Sequence, residues 1–401
     1  MESSTANRRR LRVLTTIAIA VASGTVVACG SDSSAGSEEP IKIMIQGPFA
    51  GGGLDLPQLP GGAKAAVKAI NADGGIHGRE LELIECNEGQ DPNAGVRCAR
   101  DAVREGVVAE TGTNSKYGDY LTVLEAAGIP AIGAGGDAQG EATSPDSFPI
   151  SGGVPSLFAG MGDVLGSAGA KTVKAVLLDS PHIQSSIPFI EQGLAVNGVE
   201  LAGKISVPLA KPDLAPAVAS ALSGGTDGVV LVLDPAGTTK FVREARRQRP
   251  GLKIAVSPIS LPSASLEALG DIAEEVYVVS QFAPPAGTAA GVKRYVRDMD
   301  ALDPEMPKDD AAANSWASVE LLAQVARSLP EDDISAKSVS EALNRLDGVE
   351  LGVAPPIQFL RPTTRLGKSV TRIFTTEVMY SQVKKTEVVP LSQQFTDPFE
   401  R

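Results

Sequence analysis

The sequence predicts an α/β protein of two doubly wound parallel-sheet lobes, joined by a hinge of three chain crossings. From residue 41 onward, short apolar runs alternate with helical patterns, as is typical of a parallel sheet covered by helices. The alternation stops at Ser147–Gly153 and then restarts, so the strands fall into two groups. FAPPAG (282–287) and GVELGVAPPIQF (348–359) interrupt it again, and each is a candidate passage between lobes. A chain of 401 residues also suits more than one domain.

The first group of elements begins with a strand and a helix of clear apolar spacing. Apolar residues between Ala63 and Ile70 recur at i, i+3, i+4 and i+7, and the pair Gly74-Gly75 is a typical helix stop. Asp91 followed by Pro92 is a typical helix start. The predicted strands are 41–47, 80–85, 107–112 and 129–136, and the later helices lie near 96–106 and 121–128.

The second group repeats the pattern and then ends in helices and closing strands. Its predicted strands are Lys171–Asp179, Thr226–Asp234, Leu252–Pro258 and Glu275–Gln281, with helices between them. Helical patterns follow at Val292–Leu302, Ala311–Ser328 and Ser338–Leu346, and the closing strands are 371–380 and 384–391.

The amino terminus has the features of an export signal. Four arginines within residues 8–12 precede an uncharged apolar run, Val13–Ala28, which is shorter than the ~20 residues that span a bilayer. Val26–Cys29 resembles the lipobox of bacterial lipoproteins, which implies that residues 1–28 are removed and that Cys29 carries lipid. Residues 29–39 would then be a flexible polar tether. A secretory signal cut elsewhere and an uncut anchor are the alternatives.

Charge and cysteine content narrow the classes of partner. The net charge of −12 argues against binding to nucleic acid or to anionic membrane surfaces, so membrane association would come through the lipid alone. Cys86 and Cys98 remain after Cys29, and an exported chain favours a disulfide between them, with two buried free thiols as the alternative. The sequence has only two histidines and no Cys-x-x-Cys motif, so neither a metal site nor a cofactor is expected.

Two stretches resemble a known family. IKIMIQGPFAGG (41–52) and INADGGIHGRELEL (70–83) are similar to the opening of type I periplasmic binding proteins of the leucine/isoleucine/valine-binding class, and the resemblance extends over about 40–389. It implies a periplasmic-binding-protein-like fold, a monomer, and a solute-capturing subunit that works with ABC permease subunits outside the cytoplasmic membrane. Lobe 1 would comprise 40–149 and 284–354, and lobe 2 would comprise 150–283 and 355–401.

Solutes are expected at the carboxyl ends of the strands. The resemblance implies that the loop matching Thr113, Asn114 and Ser115 holds a ligand carboxylate with a hydroxyl and backbone N–H groups. A helix that starts directly after this loop would favour an anion, although Asn114 or Ser115 could instead cap that helix. Phe49 is either a wall of the site or a core residue.

Several positions depart from the amino-acid-binding pattern. Asp137, in the strand end that also holds Gly135 and Gly136, takes the place of a ligand-gripping threonine. Ile259 replaces the acid that pairs with the ligand ammonium. Asp234 or Pro235 replaces an aromatic residue, and His182 or Ile183 replaces a tyrosine. Either Asp137 or Asp234 supplies the missing acid, or the ligand has no ammonium group.

Enzymatic motifs are incomplete, so catalysis is not expected. Gly133–Ala138 fits G-x-G-x-x-A, but it runs into TSPDSFP rather than a helix. LGKS (366–369) lacks the first glycine of a P-loop, and no G-x-S-x-G occurs. The sequence therefore predicts a lipid-anchored solute receptor for an ABC importer, which captures an amino acid or a related carboxylate or amide. A sensory receptor on the same fold and an envelope enzyme are the alternatives.

Overall fold

Two main sheets organise the computed structural model, which describes residues 39–51, 55–89, 91–115, 117–135, 140–209 and 213–400. The first sheet is wholly parallel and has the order β2-β1-β3-β4-β5. Its strands are β1 (Ile41–Gly47), β2 (Leu81–Asn87), β3 (Ala109–Thr111), β4 (Ala131–Ile132) and β5 (Ser147–Phe148). The helices between them are α1 (Gln58–Ala72), α2 (Pro92–Glu105) and α3 (Asp119–Ala127).

The second sheet begins in the same parallel manner and ends in an antiparallel pair. Its first strands are β6 (Val173–Leu178), β7 (Leu201–Val207), β8 (Gly228–Val232), β9 (Lys253–Val256) and β10 (Tyr277–Ser280). The helices of this part are α4 (Gly153–Ser167), α5 (Pro181–Ser185), α6 (Ile187–Ala195), α7 (Ala215–Leu222), α8 (Pro235–Gln248) and α9 (Ser263–Leu269).

The rest of the chain returns to the first sheet before it completes the second. Helices α10 (Ala290–Leu302), α11 (Asp310–Ser328) and α12 (Ala336–Leu343) are followed by a small antiparallel pair, β11 (Asp347–Val349) and β12 (Ile357–Gln358). Strands β13 (Met379–Lys384) and β14 (Glu387–Pro390) then join the second sheet, whose order is β14-β13-β10-β9-β8-β6-β7. The predicted α/β class with two doubly wound sheets is confirmed.

The chain passes between the two sheets three times. Helices α10 and α11 pack on α1, beside the first sheet, so the passages lie between β5 and α4, between β10 and α10, and between β12 and β13. Ile357, Phe359 and Phe374 pack in the core of the first sheet. The lobe boundaries drawn from the sequence remain predictions.

One predicted strand is wrong over most of its length. Residues 371–378 do not form the strand expected there, which begins only at Met379. The backbone N–H groups of Thr371 and Arg372 instead donate to the carbonyl oxygen of Ala142, and the Arg372 side chain lies between the rings of Phe148 and Phe374. These contacts fix the third passage to the first lobe.

Among the described residues, no helix has the length and apolar character needed to cross a membrane. The predicted signal segment and Cys29 lie outside the described residues.

Candidate functional site

The loop after β1 lies at the carboxyl edge of the first sheet and is tied to the loop after β2. The side chain of Asn87 accepts a hydrogen bond from the Phe49 N–H (2.9 Å) and donates one to the Ala50 carbonyl oxygen (2.9 Å). Phe49 itself is half-buried and packs against the core of the first lobe. Its ring therefore belongs partly to the core and partly to this edge.

The loop after β3 contains the three residues predicted to hold a ligand carboxylate. Thr113 and Ser115 are buried and Asn114 is half-buried. The Thr113 hydroxyl donates to the Glu110 carboxylate (3.1 Å), and the Asn114 N–H donates to the Gln46 carbonyl oxygen (3.3 Å). The Ser115 hydroxyl accepts from the Tyr117 N–H (3.2 Å), so its role within the free protein is to shape a turn.

The helix predicted near 121–128 forms, but it does not begin directly after this loop. Helix α3 begins at Asp119, with Gly118 as its N-cap and no side-chain cap. Neither Asn114 nor Ser115 caps it, and the carboxylate of Asp119 in its first turn opposes an anion there. The argument from the helix dipole for a carboxylate at Thr113–Ser115 therefore does not hold.

A buried polar cluster lies behind this loop, and the sequence analysis did not identify it. Met44 and Glu110 are register partners on β1 and β3, and Gln46 lies two residues farther along β1, on the same face of the sheet. Gln46 and Glu110 are both fully buried, and Glu88 and Glu141 are buried in the neighbouring loops. Two features of the sequence could have indicated this cluster, namely an acid inside the predicted strand VVAETG and a glutamine inside the predicted strand IKIMIQG.

The burial of this cluster changes its acid–base properties. Desolvation is the main cause that raises the pKa of Glu110 to about 8. The hydrogen bond from Thr113 lowers this pKa by less than desolvation raises it, and the negative charge of Glu88 raises it further. Tyr120, whose hydroxyl donates to Glu141 (2.8 Å), has its pKa raised by burial and by the nearby carboxylates. Glu110 is therefore mostly protonated at pH 7.

Helix α2 covers the cluster and is fixed by a disulfide. Cys86 at the end of β2 is bonded to Cys98 on α2, as predicted, with their Cα atoms 5.7 Å apart. The N-cap prediction is also confirmed, since the Asp91 side chain accepts from the Asn93 N–H (2.9 Å). Gly95, one turn before Cys98, faces the cluster without a side chain.

In the second lobe, Asp234 has a local role and Ile259 is exposed to solvent. Asp234 is exposed and caps α8, where its carboxylate accepts from the Gly237 N–H (2.9 Å). Ile259 is 41% exposed in a turn after β9. His182 lies in α5 after β6. Their part in solute binding remains a prediction.

The remaining predicted residues belong to the loop after β4. Gly135 is half-buried near the end of that strand. Gly136 and Asp137 lie outside the described residues.

The described chain holds no group of three or more histidine, cysteine or acidic residues that could bind a metal ion. Surface cavities of about 430 Å³ beside Arg243 and about 330 Å³ beside Cys98 contain none of the predicted ligand residues. The polar groups at the strand ends of the first lobe can accept hydrogen bonds from a small solute and donate hydrogen bonds to it.

Comparison with known proteins agrees with this architecture. Residues 41–377 match the family described as periplasmic binding protein. No curated protein matches the chain at a significant level.

Solved structures share the fold at low sequence identity. A substrate-binding periplasmic protein from Ralstonia solanacearum is 19% identical, with a TM-score of 0.69 over 87% of this chain and 99% of that one. A solute-binding protein of an ABC transporter from R. palustris, in complex with benzoate, is 16% identical, with a TM-score of 0.70 over 88% and 96% of the two chains. The branched-chain amino acid transporter substrate-binding protein from Streptococcus pneumoniae, in complex with isoleucine, is 18% identical, with a TM-score of 0.70 over 88% and 100%.

Proposed function

Because this chain belongs to the periplasmic binding protein family, we propose that it captures a small carboxylate-bearing solute for an ABC importer. The supporting observation is the family match over residues 41–377, which includes strands of both sheets and all three passages between them. In this proposal the two lobes close on the solute by bending at those passages and release it unchanged to the permease.

The proposal includes a location and an anchor. The basic head, the short apolar run and Cys29 support export and lipidation, so the protein would be held at the outer face of the cytoplasmic membrane. It would act there as a monomer, and tethering would keep it close to the permease.

The solute class is argued from the site and from the neighbours in fold. Two of the neighbours were solved with isoleucine and with benzoate, and both of these ligands carry a carboxylate. They differ in the ammonium group, which benzoate lacks. We therefore expect an amino acid or a related carboxylate or amide.

A thermal-unfolding screen tests the proposal. A solute present at 100 times its Kd should stabilise the protein by about 2.7 kcal/mol and raise its unfolding midpoint. The panel should contain aliphatic and aromatic amino acids, simple carboxylic acids and amides. A midpoint that stays constant across the panel would contradict this solute class.

Deletion of the gene tests the importer role. Uptake of the solute identified in the screen should fall in the deletion strain and should return with the full-length gene. Unchanged uptake would favour the sensory role on the same fold.

A further inference from the structure

Glu110 differs in its partners from three other buried carboxylates, those of Asp163, Asp298 and Glu320. Asp163 accepts from the Asn197 amide and the Tyr380 hydroxyl, Asp298 pairs with Arg297, and Glu320 pairs with Arg294. Glu110 has the Thr113 hydroxyl on Oε2, whereas its Oε1 is buried and has no hydrogen-bond partner in the described structure. A buried acceptor that lacks a donor is unfavourable, because it has lost its hydrogen bonds to water without replacement.

The Gln46 side chain is a second and independent unmet group in the same place. It is fully buried, and neither its Oε1 nor its Nε2 has a partner among the described atoms. Gln46 Nε2 and the Ser115 hydroxyl lie 3.9 and 4.0 Å from the position that a Cβ on Gly95 would take. The side chains of Gln46 and Ser115 therefore both lie near Gly95, where the helix has no side chain.

The second lobe offers no equivalent acid at its described strand ends. Asp234 is exposed and is engaged as the cap of α8, and Asp179 is exposed beside the Ser206 hydroxyl (3.2 Å). Ile259 contributes no charge. An amino-acid solute that needs a buried acid opposite its ammonium would therefore find it in the first lobe.

We propose that Glu110, Gln46 and Thr113, together with the bare Cα of Gly95, form the subsite that receives the protonated amino group of the solute. This inference rests on the proposed function and names the solute class as one with a primary ammonium. Two of the three N–H donors of that group would bond to the unmet acceptors Glu110 Oε1 and Gln46 Oε1. The Thr113 hydroxyl is bonded to Glu110 and so connects this subsite to the loop after β3.

Binding at this subsite is coupled to proton release. In the free protein Glu110 is mostly protonated at pH 7, because its pKa is raised to about 8 by burial. Among the described residues, the titratable groups that act on the cluster from the neighbouring elements are Glu88, Tyr120 and Glu141, and none of these three carries a positive charge. An arriving ammonium stabilises the ionised form of Glu110, so the proton leaves to solvent as the solute binds.

Matched pairs of solutes test the subsite by calorimetric titration of the full-length protein. The pairs are leucine with 4-methylpentanoate, isoleucine with 3-methylpentanoate and phenylalanine with 3-phenylpropanoate, which differ only in the amino group. At pH 7, titration in phosphate and in Tris should show release of about one proton per bound amino acid. Affinity should rise by up to about tenfold per pH unit between pH 6 and 8.

The variant Glu110→Gln keeps an acceptor for the Thr113 hydroxyl and cannot ionise. It should lose the proton release, lose the pH dependence and bind the amino acid at least tenfold more weakly. The matched control is Glu82→Gln on the exposed edge of β2, which should behave as the wild type in all three respects.

A second variant separates binding from folding. Gly95→Ala places a methyl group among the polar atoms, 3.1 Å from Glu88 Oε2, while alanine is a better helix former than glycine. We expect amino-acid affinity to fall at least tenfold with the unfolding midpoint retained.

The outcomes distinguish this inference from the proposed function. Amino-acid binding that is free of proton release and insensitive to Glu110→Gln would overturn the subsite alone, as would equal binding of the deaminated acids. Binding of neither member of any pair would count against both the subsite and the proposed solute class.

Discussion

At the scale of single residues, the role of a carboxylate depends on the donors that the fold brings to it. Asp234 and Glu110 both lie at or near the end of a parallel strand, but only Asp234 was predicted to bind the ligand. In the structure Asp234 caps a helix in contact with solvent, whereas Glu110 is buried with an unmet oxygen. The Asp-Pro pair at 234–235 is a local signal for a helix cap. The burial of Glu110 has no such signal, because it depends on where helix α2 packs.

The substitution Asp234→Asn tests this division of roles. Asparagine is as good an N-cap as aspartate, so the unfolding midpoint should stay the same. We expect solute affinity to remain within twofold of the wild type, because Asp234 is not the ammonium partner in this account. A tenfold loss of affinity in titration calorimetry would instead place Asp234 in the site.

At the scale of elements, helix ends and buried strands could be predicted better than edge strands and short turns. The Asp91 cap, the glycine stop at Gly74-Gly75 and strand β1 follow from local residue chemistry. Strand β7 was not identified, because all of its residues except Val207 are half-buried or exposed at the edge of the second sheet. Helix α3 begins at Asp119, shortly before the predicted start near 121, and its N-cap Gly118 carries no capping side chain that could mark the start in the sequence.

The contact between α4 and α6 shows a constraint that local patterns do not reveal. A Cβ on Gly193 would collide with the backbone carbonyl of Ala159, and a Cβ on Gly162 would collide with that of Ile190. The two helices pack at this distance only because both positions lack a side chain.

We expect Gly193→Ala to destabilise the protein by about 1–3 kcal/mol, the usual cost of overpacking. Urea unfolding measures the change. The control Gly251→Ala has open space around the added methyl group and should leave stability nearly unchanged. Equal stability of the two variants would show that α4 and α6 can separate without cost.

At the scale of the whole molecule, the two sheets and three passages were predictable because strand–helix alternation restarts at each passage. The details of the passages were not, since they depend on contacts distant in sequence. Asp310 at the start of α11 accepts from the Gln281 N–H (2.8 Å), and Arg372 lies between two aromatic rings of the first lobe. Neither pairing has a local signal.

Stability should fall as pH rises from about 4 to 8. Burial raises the pKa of Glu110 to about 8 and that of Asp310 to about 7, above the values near 4 that these groups have when unfolded. The folded state therefore binds more protons than the unfolded state between about pH 4 and 8, and stability is lost through this window.

The urea midpoint should accordingly be lower at pH 8.5 than at pH 6 in the absence of solute. Glu110→Gln should reduce this difference, and Glu82→Gln should not. A midpoint that rises with pH in the wild type would contradict the assignment of these two groups.

The central claim is that the protein binds one small solute between its lobes and does not alter it. Equilibrium dialysis against the amino-acid panel, followed by mass spectrometry of the released ligand, measures this directly. The account predicts one equivalent of unmodified amino acid per chain. Recovery of a chemically changed product, or no enrichment of any amino acid of the panel by the protein, would contradict it.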